Sequence, residues 1–140
     1  MPRYAAVRTL LAPLEDVWAF LAEPYNLADW WPGISGVEPD RRGLAPGARW
    51  KVIGPNTPSL IRKPQMTGTL LVLEVVPRER ISFQLTGDRI DAELALRAVD
   101  TDRTEVELVV DVPWLIGARR SFPRRALERL YALVRTGEQP

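Results

Sequence analysis

The sequence predicts an α+β fold: a seven-stranded curved antiparallel sheet around a long C-terminal helix, with two short helices between the first and second strands. Three observations predict it. Over residues 34–112 apolar side chains recur with period two, in segments separated by Gly, Pro and Asp turns, as in strands with one dry and one wet face. Ahead of them, residues 13–31 carry apolar side chains at helical spacing, and residues 121–137 close the chain with one long amphipathic segment. Runs of strands joined by tight turns pair antiparallel, and helices segregated from them imply α+β.

Residues 3–11 are rich in Val and Leu and stop at Ala12-Pro13, a strand followed by a helix start. Pro13 suits the first helical position, because its fixed φ fits and its missing N–H is not needed there. Glu15 and Asp16 fall in the first turn, where the helix dipole favours negative charge. Leu14, Val17, Trp18 and Leu21 give this helix one apolar face, and Pro24 ends it at or before Glu23. A second short helix over residues 25–31 is stopped by Pro32-Gly33.

Six further strands are predicted over residues 34–39, 48–54, 65–76, 80–86, 89–99 and 104–112. Trp50 and Val52 alternate with Arg49 and Lys51. Ile90, Ala92, Leu94, Leu96 and Ala98 alternate with Asp91, Glu93 and Arg97. Val106, Leu108, Val110 and Val112 alternate with Glu105, Glu107 and Asp111. The 65–76 strand has no legible parity, because Leu70, Leu71, Val72 and Leu73 are apolar on both sides; that pattern predicts an exposed hydrophobic face and a homodimer contact. Gly43, Pro46 and Gly47 mark a turn region over 40–47, and further turns fall at 77–79, Gly87-Asp88 and 100–102. Residues 55–64, with three prolines, predict a loop at a cavity mouth. After a connector over 114–120, Ser121 predicts a helix N-cap, Pro123 falls just inside the start and Gly137 caps the end. Phe122, Ala126, Leu127, Leu130, Tyr131 and Val134, with Leu133 beside them, form the apolar stripe. A helix of about 15 residues would span about 22 Å, enough to cross a sheet.

Composition narrows the chemistry. A chain of 140 residues is the usual size of one domain and needs no disulfide staples. With 19 basic and 18 acidic residues its net charge is +1, which argues against nucleic acid as a whole-domain partner. The sequence holds no cysteine and no histidine. Thiolate nucleophiles, disulfides and thiolate metal sites are excluded, and the commonest general base and metal ligand are missing. No cofactor is implied. No apolar run approaches the roughly 20 residues of a membrane helix, and residues 1–11 lack a signal-peptide layout, so the expected location is cytoplasmic.

Several motifs together resemble the START-like helix-grip superfamily, also called SRPBCC, with bacterial polyketide cyclase/dehydrase and lipid-transport-like members nearest. They are Ala12-Pro13-Leu14-Glu15-Asp16-Val17-Trp18, then Asn26-Leu27-Ala28-Asp29-Trp30-Trp31-Pro32-Gly33, then Gly47-Ala48-Arg49-Trp50, then Glu74-Val75-Val76-Pro77 before Arg80-Ile81-Ser82-Phe83, and the closing helix. The likeness spans nearly all of the sequence and implies one START-like ligand-binding domain over residues 1–140. It also implies a cavity between sheet and C-terminal helix that accepts a hydrophobic small molecule. No catalytic signature of the family can be carried over to a residue of this chain.

The candidate ligand-binding residues are Tyr25, Trp31, Trp50, Val52, Phe83, Leu94, Leu96, Leu108, Leu130 and Val134. The aromatic ones offer walls with an indole N–H or phenol O–H to orient a carbonyl or hydroxyl, and the aliphatic ones a dry surface. Packing explains Trp18 and Trp30. Arg119, Arg120, Arg124, Arg125 and Arg129 form a basic run that fits a solvated helix face, with weak contact to an anionic membrane surface as the alternative. Asp29 and Asp88 fit capping and turn roles. Binding of a lipid, polyketide or aromatic metabolite is thus the first reading. The alternatives are a cyclase/dehydratase-type enzyme working without His or Cys, and a protein-interaction domain.

Overall fold

The computed structural model describes residues 3–31, 34–53, 66–86, 90–111 and 122–134. Along the chain these form β1 (Arg3–Leu10), α1 (Leu14–Ala22), a 3₁₀ turn (Pro24–Asn26), α2 (Leu27–Trp30), β2 (Gly36–Glu38), β3 (Arg49–Ile53), β4 (Met66–Val76), β5 (Arg80–Leu85), β6 (Ile90–Asp100), β7 (Arg103–Asp111) and α3 (Phe122–Leu133). All seven strands join one antiparallel sheet in the order β1-β7-β6-β5-β4-β3-β2. The chain therefore leaves β1, crosses to the far edge of the sheet through α1 and α2, and returns strand by strand until β7 pairs with β1. This is the helix-grip α+β architecture that the sequence predicts. The predicted loop over 55–64, Pro32-Gly33, Gly87-Asp88, Val112, the 114–120 connector, Ser121 and Gly137 lie outside the described residues.

Helix starts and stops follow local chemistry. Pro13 is the residue before α1, extended at φ −63° and ψ 154°, and its carbonyl accepts from the N–H groups of Asp16 and Val17, both at 3.0 Å. It thus sits one position earlier than the sequence suggests. The second short helix is a 3₁₀ turn followed by a single α-turn. Glu23 accepts from Tyr25 N–H at 3.2 Å, and Asn26 Nδ2 donates to the Phe20 carbonyl at 2.9 Å, so side chains tie the chain down where Pro24 has broken the helical ladder.

One sheet face is dry. Ile90, Ala92, Leu94 and Leu96 of β6 and Val106, Leu108 and Val110 of β7 are buried, as their alternation predicts. Ala98 departs from it: it is exposed near the end of β6, beside the register shift between Ala98 and Asp100. The strand of unreadable parity has a structural cause. Val72 pairs with Phe83 and Glu74 pairs with Ser82, so Leu73 is an extra residue in a β-bulge. Leu70 and Val72 face the core before the bulge, and Val75, opposite Ile81, packs against it afterwards. The two apolar registers are thus one inner face switching parity, which leaves Leu73 outside at 49% exposure. A second shift places Ile53 opposite Met66, next to Gly68 at φ +119°, a conformation that favours glycine.

Helix α3 lies on β1 and β7 and touches α2. Ala126, Leu127, Leu130 and Val134 are buried beneath it, while Arg124, Arg125 and Arg129 face outward. Leu133 departs from the predicted stripe: it stands one helical turn beyond Arg129 on the outer side and is 47% exposed. Arg8 of β1 reaches under the helix, with its guanidinium 4.1 Å from the centre of the Tyr131 ring and Nη1 3.4 Å from Glu128 Oε2.

Thr104 is the buried polar side chain among the described residues, and its Oγ1–H donates to the Ala12 carbonyl at 2.9 Å. That bond holds the elbow between β1 and α1 against β7. Replacing Thr104 by Val should leave a buried carbonyl unpartnered and cost about 1–3 kcal/mol in urea unfolding, with Thr104→Ser recovering part of the loss. The bulge makes a second expectation: Leu70→Ala should cost about 2–5 kcal/mol, whereas Leu73→Ser should stay within about 0.5 kcal/mol of wild type.

Candidate ligand-binding site

The three helices cover the dry face unevenly. α3 sits on β1 and β7, α1 on β7 and β6, and α2 beside β2 and α3. The inner faces of β3, β4 and β5 are met by side chains reaching over from α1, α2 and the β2–β3 connection. A hollow of about 20 Å³ remains there, lined by Leu21 of α1, Leu27 and Trp30 of α2, Leu44 of the connection, Trp50 of β3, Leu70 and Val72 of β4, Ile81 and Phe83 of β5 and Leu94 of β6. It is large enough for about one water, but such an apolar space offers a water too few partners and stays dry. α3 supplies none of these ten residues.

Aromatic rings build one end. Trp31 is buried against Trp30, with ring centres 5.5 Å apart at 79°, and against Phe83, at 5.2 Å and 64°. Both are edge-to-face arrangements, which the ring quadrupoles favour. Trp50 is 4% exposed and points inward as its strand parity predicts. Its indole Nε1–H donates to the Gly43 carbonyl at 2.8 Å, joining the sheet to the connection that carries Leu44.

That connection, residues 39–48, is held by a second set of bonds. Asp40 Oδ2 accepts from Arg49 N–H at 2.9 Å and Oδ1 from Arg42 N–H at 3.0 Å. Arg42 Nη1 donates to the Gly47 carbonyl at 3.1 Å, and Gly47 N–H donates to the Val72 carbonyl at 2.8 Å. Gly43 and Gly47 take φ values of +63° and +88°, the left-handed region in which a Cβ is strained. The backbone N–H of Arg49, more than any other group, holds the Asp40 carboxyl below its ordinary value of 3.8.

The candidate residues of the sequence divide between this hollow and its surroundings. Trp50, Phe83 and Leu94 line it, and Trp31 packs directly behind Trp30 and Phe83. Val52, Leu96, Leu108, Leu130 and Val134 are buried in the core away from the lining, and Tyr25 is 63% exposed on the 3₁₀ turn. Trp30, which the sequence assigns to packing, also lines the hollow, and the lining residues outside the candidate set are otherwise Leu21, Leu27, Leu44, Leu70, Val72 and Ile81. Helical spacing marks Leu21 as inward-facing. Nothing local marks Leu44, whose role comes from the path of a turn. No cluster of three or more acidic side chains that could hold a metal ion occurs among the described residues. No described helix is long and apolar enough to cross a membrane.

A curved antiparallel sheet, a C-terminal helix on its dry face and an apolar hollow under the two short helices define a helix-grip domain. The chain belongs to the family described as polyketide cyclase / dehydrase and lipid transport, whose model matches residues 1–134. Protein CV1439 from Chromobacterium violaceum has a similar structure, with a TM-score of 0.73 and 21% identity over 96% of this chain and 99% of that one. Protein NE0264 from Nitrosomonas europaea is similar at a TM-score of 0.71 and 19% identity, over 96% of this chain and 95% of that one. The di-domain ARO/CYC BexL from the BE-7585A biosynthetic pathway matches at a TM-score of 0.72 and 21% identity, over all of this chain and 48% of the BexL chain. A search of curated proteins gave no match.

The lowered pKa of Asp40 fixes the sign of a pH effect. A carboxyl whose folded value lies below its unfolded one stabilises the fold above the unfolded value, near 3.8, and loses that contribution as pH falls through the folded value. Thermal melts should therefore show Asp40→Ala less stable than wild type at neutral pH. The gap should narrow as the pH is taken below the ordinary carboxylate value.

Proposed function

We propose that this domain binds a hydrophobic small molecule, of the lipid, polyketide or aromatic-metabolite class, on the inner face of β3–β6 beneath α1 and α2. The observation that carries this reading is the lining itself: among the described residues, ten apolar or aromatic side chains, six of them on β3–β6 and four reaching over from α1, α2 and the β2–β3 connection. Membership of a family whose description joins polyketide chemistry to lipid transport supports it. Each Å² of apolar ligand surface removed from water there contributes about 25 cal/mol.

A cyclase or dehydratase reaction would need a group that moves a proton at the reacting atoms. Among the described residues the lining offers no carboxyl, amine, phenol or hydroxyl, and its polar side-chain atoms are two indole nitrogens, which only donate. Binding is therefore the function this geometry supports best. Small-molecule sites usually measure about 300–1,000 Å³, so the interior must open from its present size to admit a ligand.

Titration with the neutral apolar fluorophore N-phenyl-1-naphthylamine tests the proposal. Saturable binding is expected, with a change in tryptophan emission, since Trp30 and Trp50 line the hollow. Leu94→Trp, which fills the hollow from β6, should weaken binding at least about tenfold while circular dichroism shows a retained fold; overpacking of this kind costs about 1–3 kcal/mol in stability. Absence of saturable uptake by wild type, or equal uptake by the filled variant, would remove the proposal.

A further inference from the structure

Nine of the ten lining residues stand on helices or strands, where displacement breaks a hydrogen-bonded ladder. Leu44 is the exception. It lies half-buried in the β2–β3 connection, between the left-handed Gly43 and Gly47. Its withdrawal is the least costly way to enlarge the hollow, because Leu44 follows the left-handed Gly43 in a turn and its swing breaks no helix or strand ladder, while the bonds of Gly47 to Val72 and of Arg49 to Asp40 hold the end of the turn to the sheet. The carbonyl of the preceding residue, Gly43, is also the acceptor for Trp50 Nε1–H at 2.8 Å. A swing that carries Leu44 out of the hollow takes this acceptor with it, and leaves an N–H on a side chain only 4% exposed. An unpartnered buried donor is costly, so the opened state favours whatever brings a new acceptor.

We infer that the ligand is an apolar molecule carrying a hydrogen-bond acceptor oxygen, of the ketone, ester or ether class, which takes over the Trp50 Nε1–H from the Gly43 carbonyl as Leu44 withdraws. This deepens the binding proposal and rests on it. Trp50 is then the residue that separates oxygen-bearing ligands from hydrocarbons of the same shape. Asp40 and Arg42 set the resting position of the turn through their bonds to Arg49, Arg42 and Gly47. A hydrocarbon could fill the same space only by leaving the indole N–H buried and unpartnered.

The test compares 2-acetylnaphthalene with 2-isopropylnaphthalene by calorimetric titration of the full chain, as wild type and as Trp50→Phe. The ratio of ketone to hydrocarbon affinity should be about tenfold higher in wild type than in the variant, the size expected for one buried donor gaining or losing its partner. In wild type, where no substitution affects folding, the Trp50 indole N–H resonance should keep a hydrogen-bonded position with the ketone and move to an unpartnered one with the hydrocarbon. An equal affinity ratio in the two proteins, or the same indole shift with both ligands, overturns the anchor and leaves the binding proposal standing. Loss of the preference in Trp30→Phe but not in Trp50→Phe also overturns it, by moving the donor to the neighbouring indole. If neither compound binds wild type, the binding proposal itself fails and the anchor falls with it.

Discussion

The structure depends on burying the inner face of a seven-stranded sheet, which the three helices of the described residues cover unevenly. That face is apolar from Leu10 on β1, through Val106, Leu108 and Val110 on β7, to Trp50 and Val52 on β3. Exposing it would forfeit the main driving force of folding. α3 and α1 cover the side nearer β1, and α2 with the 3₁₀ turn closes on β2 at the opposite edge. Among the described residues, the strands between are met by side chains of α1, α2 and the β2–β3 connection. The hollow is therefore a consequence of where the helices sit, and the large rings of Trp30, Trp50 and Phe83 around it span a distance that aliphatic residues alone would not.

Short connections complete what the helices leave open. The Ala12-Pro13 elbow decides the direction in which α1 crosses the sheet, and Thr104 on β7 holds it by a hydrogen bond with no competition from solvent. At the far end, Asp40 gathers backbone N–H groups from two sides of a turn, and Trp50 ties that turn to the sheet. These contacts join residues distant in sequence through single polar groups, each set into otherwise apolar or backbone surroundings. Apart from Arg8, which reaches under α3 to Tyr131 and Glu128, the cross-strand ion pairs stand on the outer face. Arg3 pairs with Asp111, Arg97 with Glu105, and Arg80 lies between Glu74 and Glu93. Such exposed cross-strand pairs add little stability each, and their consistent placement keeps the wet face wet.

The chemistry of the interior follows from the same division. A chain without histidine or cysteine has few groups that exchange protons near neutral pH, and among the described residues the hollow receives none of the remaining ones. What it receives is apolar area and indole edges. A family whose description covers both transformation and transport of apolar molecules accommodates both uses on one scaffold, because the fold supplies the enclosure and individual side chains supply any reaction.

Period-two alternation was sufficient to place β3, β5, β6 and β7 and to orient Trp50, Leu94 and Leu108, because a strand with one wet face repeats its instruction every second residue. Helical spacing and the Pro13 and Pro24 boundaries did the same for α1, since those signals are local. The inward set of β4 was not legible, because the bulge at Leu73 reverses its parity, and only pairing with β5 reveals which residue is the extra one. Nor could a linear pattern separate core from lining: Leu108 and Leu94 alternate identically, yet one lies away from the hollow and the other borders it. Composition and periodicity determined the fold class, the dry face and a sequence without histidine or cysteine, all legible without knowing how elements pack. The position of the hollow, the place of Leu44 in its wall and the bond from Trp50 to Gly43 were decided by the tertiary structure, because each depends on how far one element stands from another.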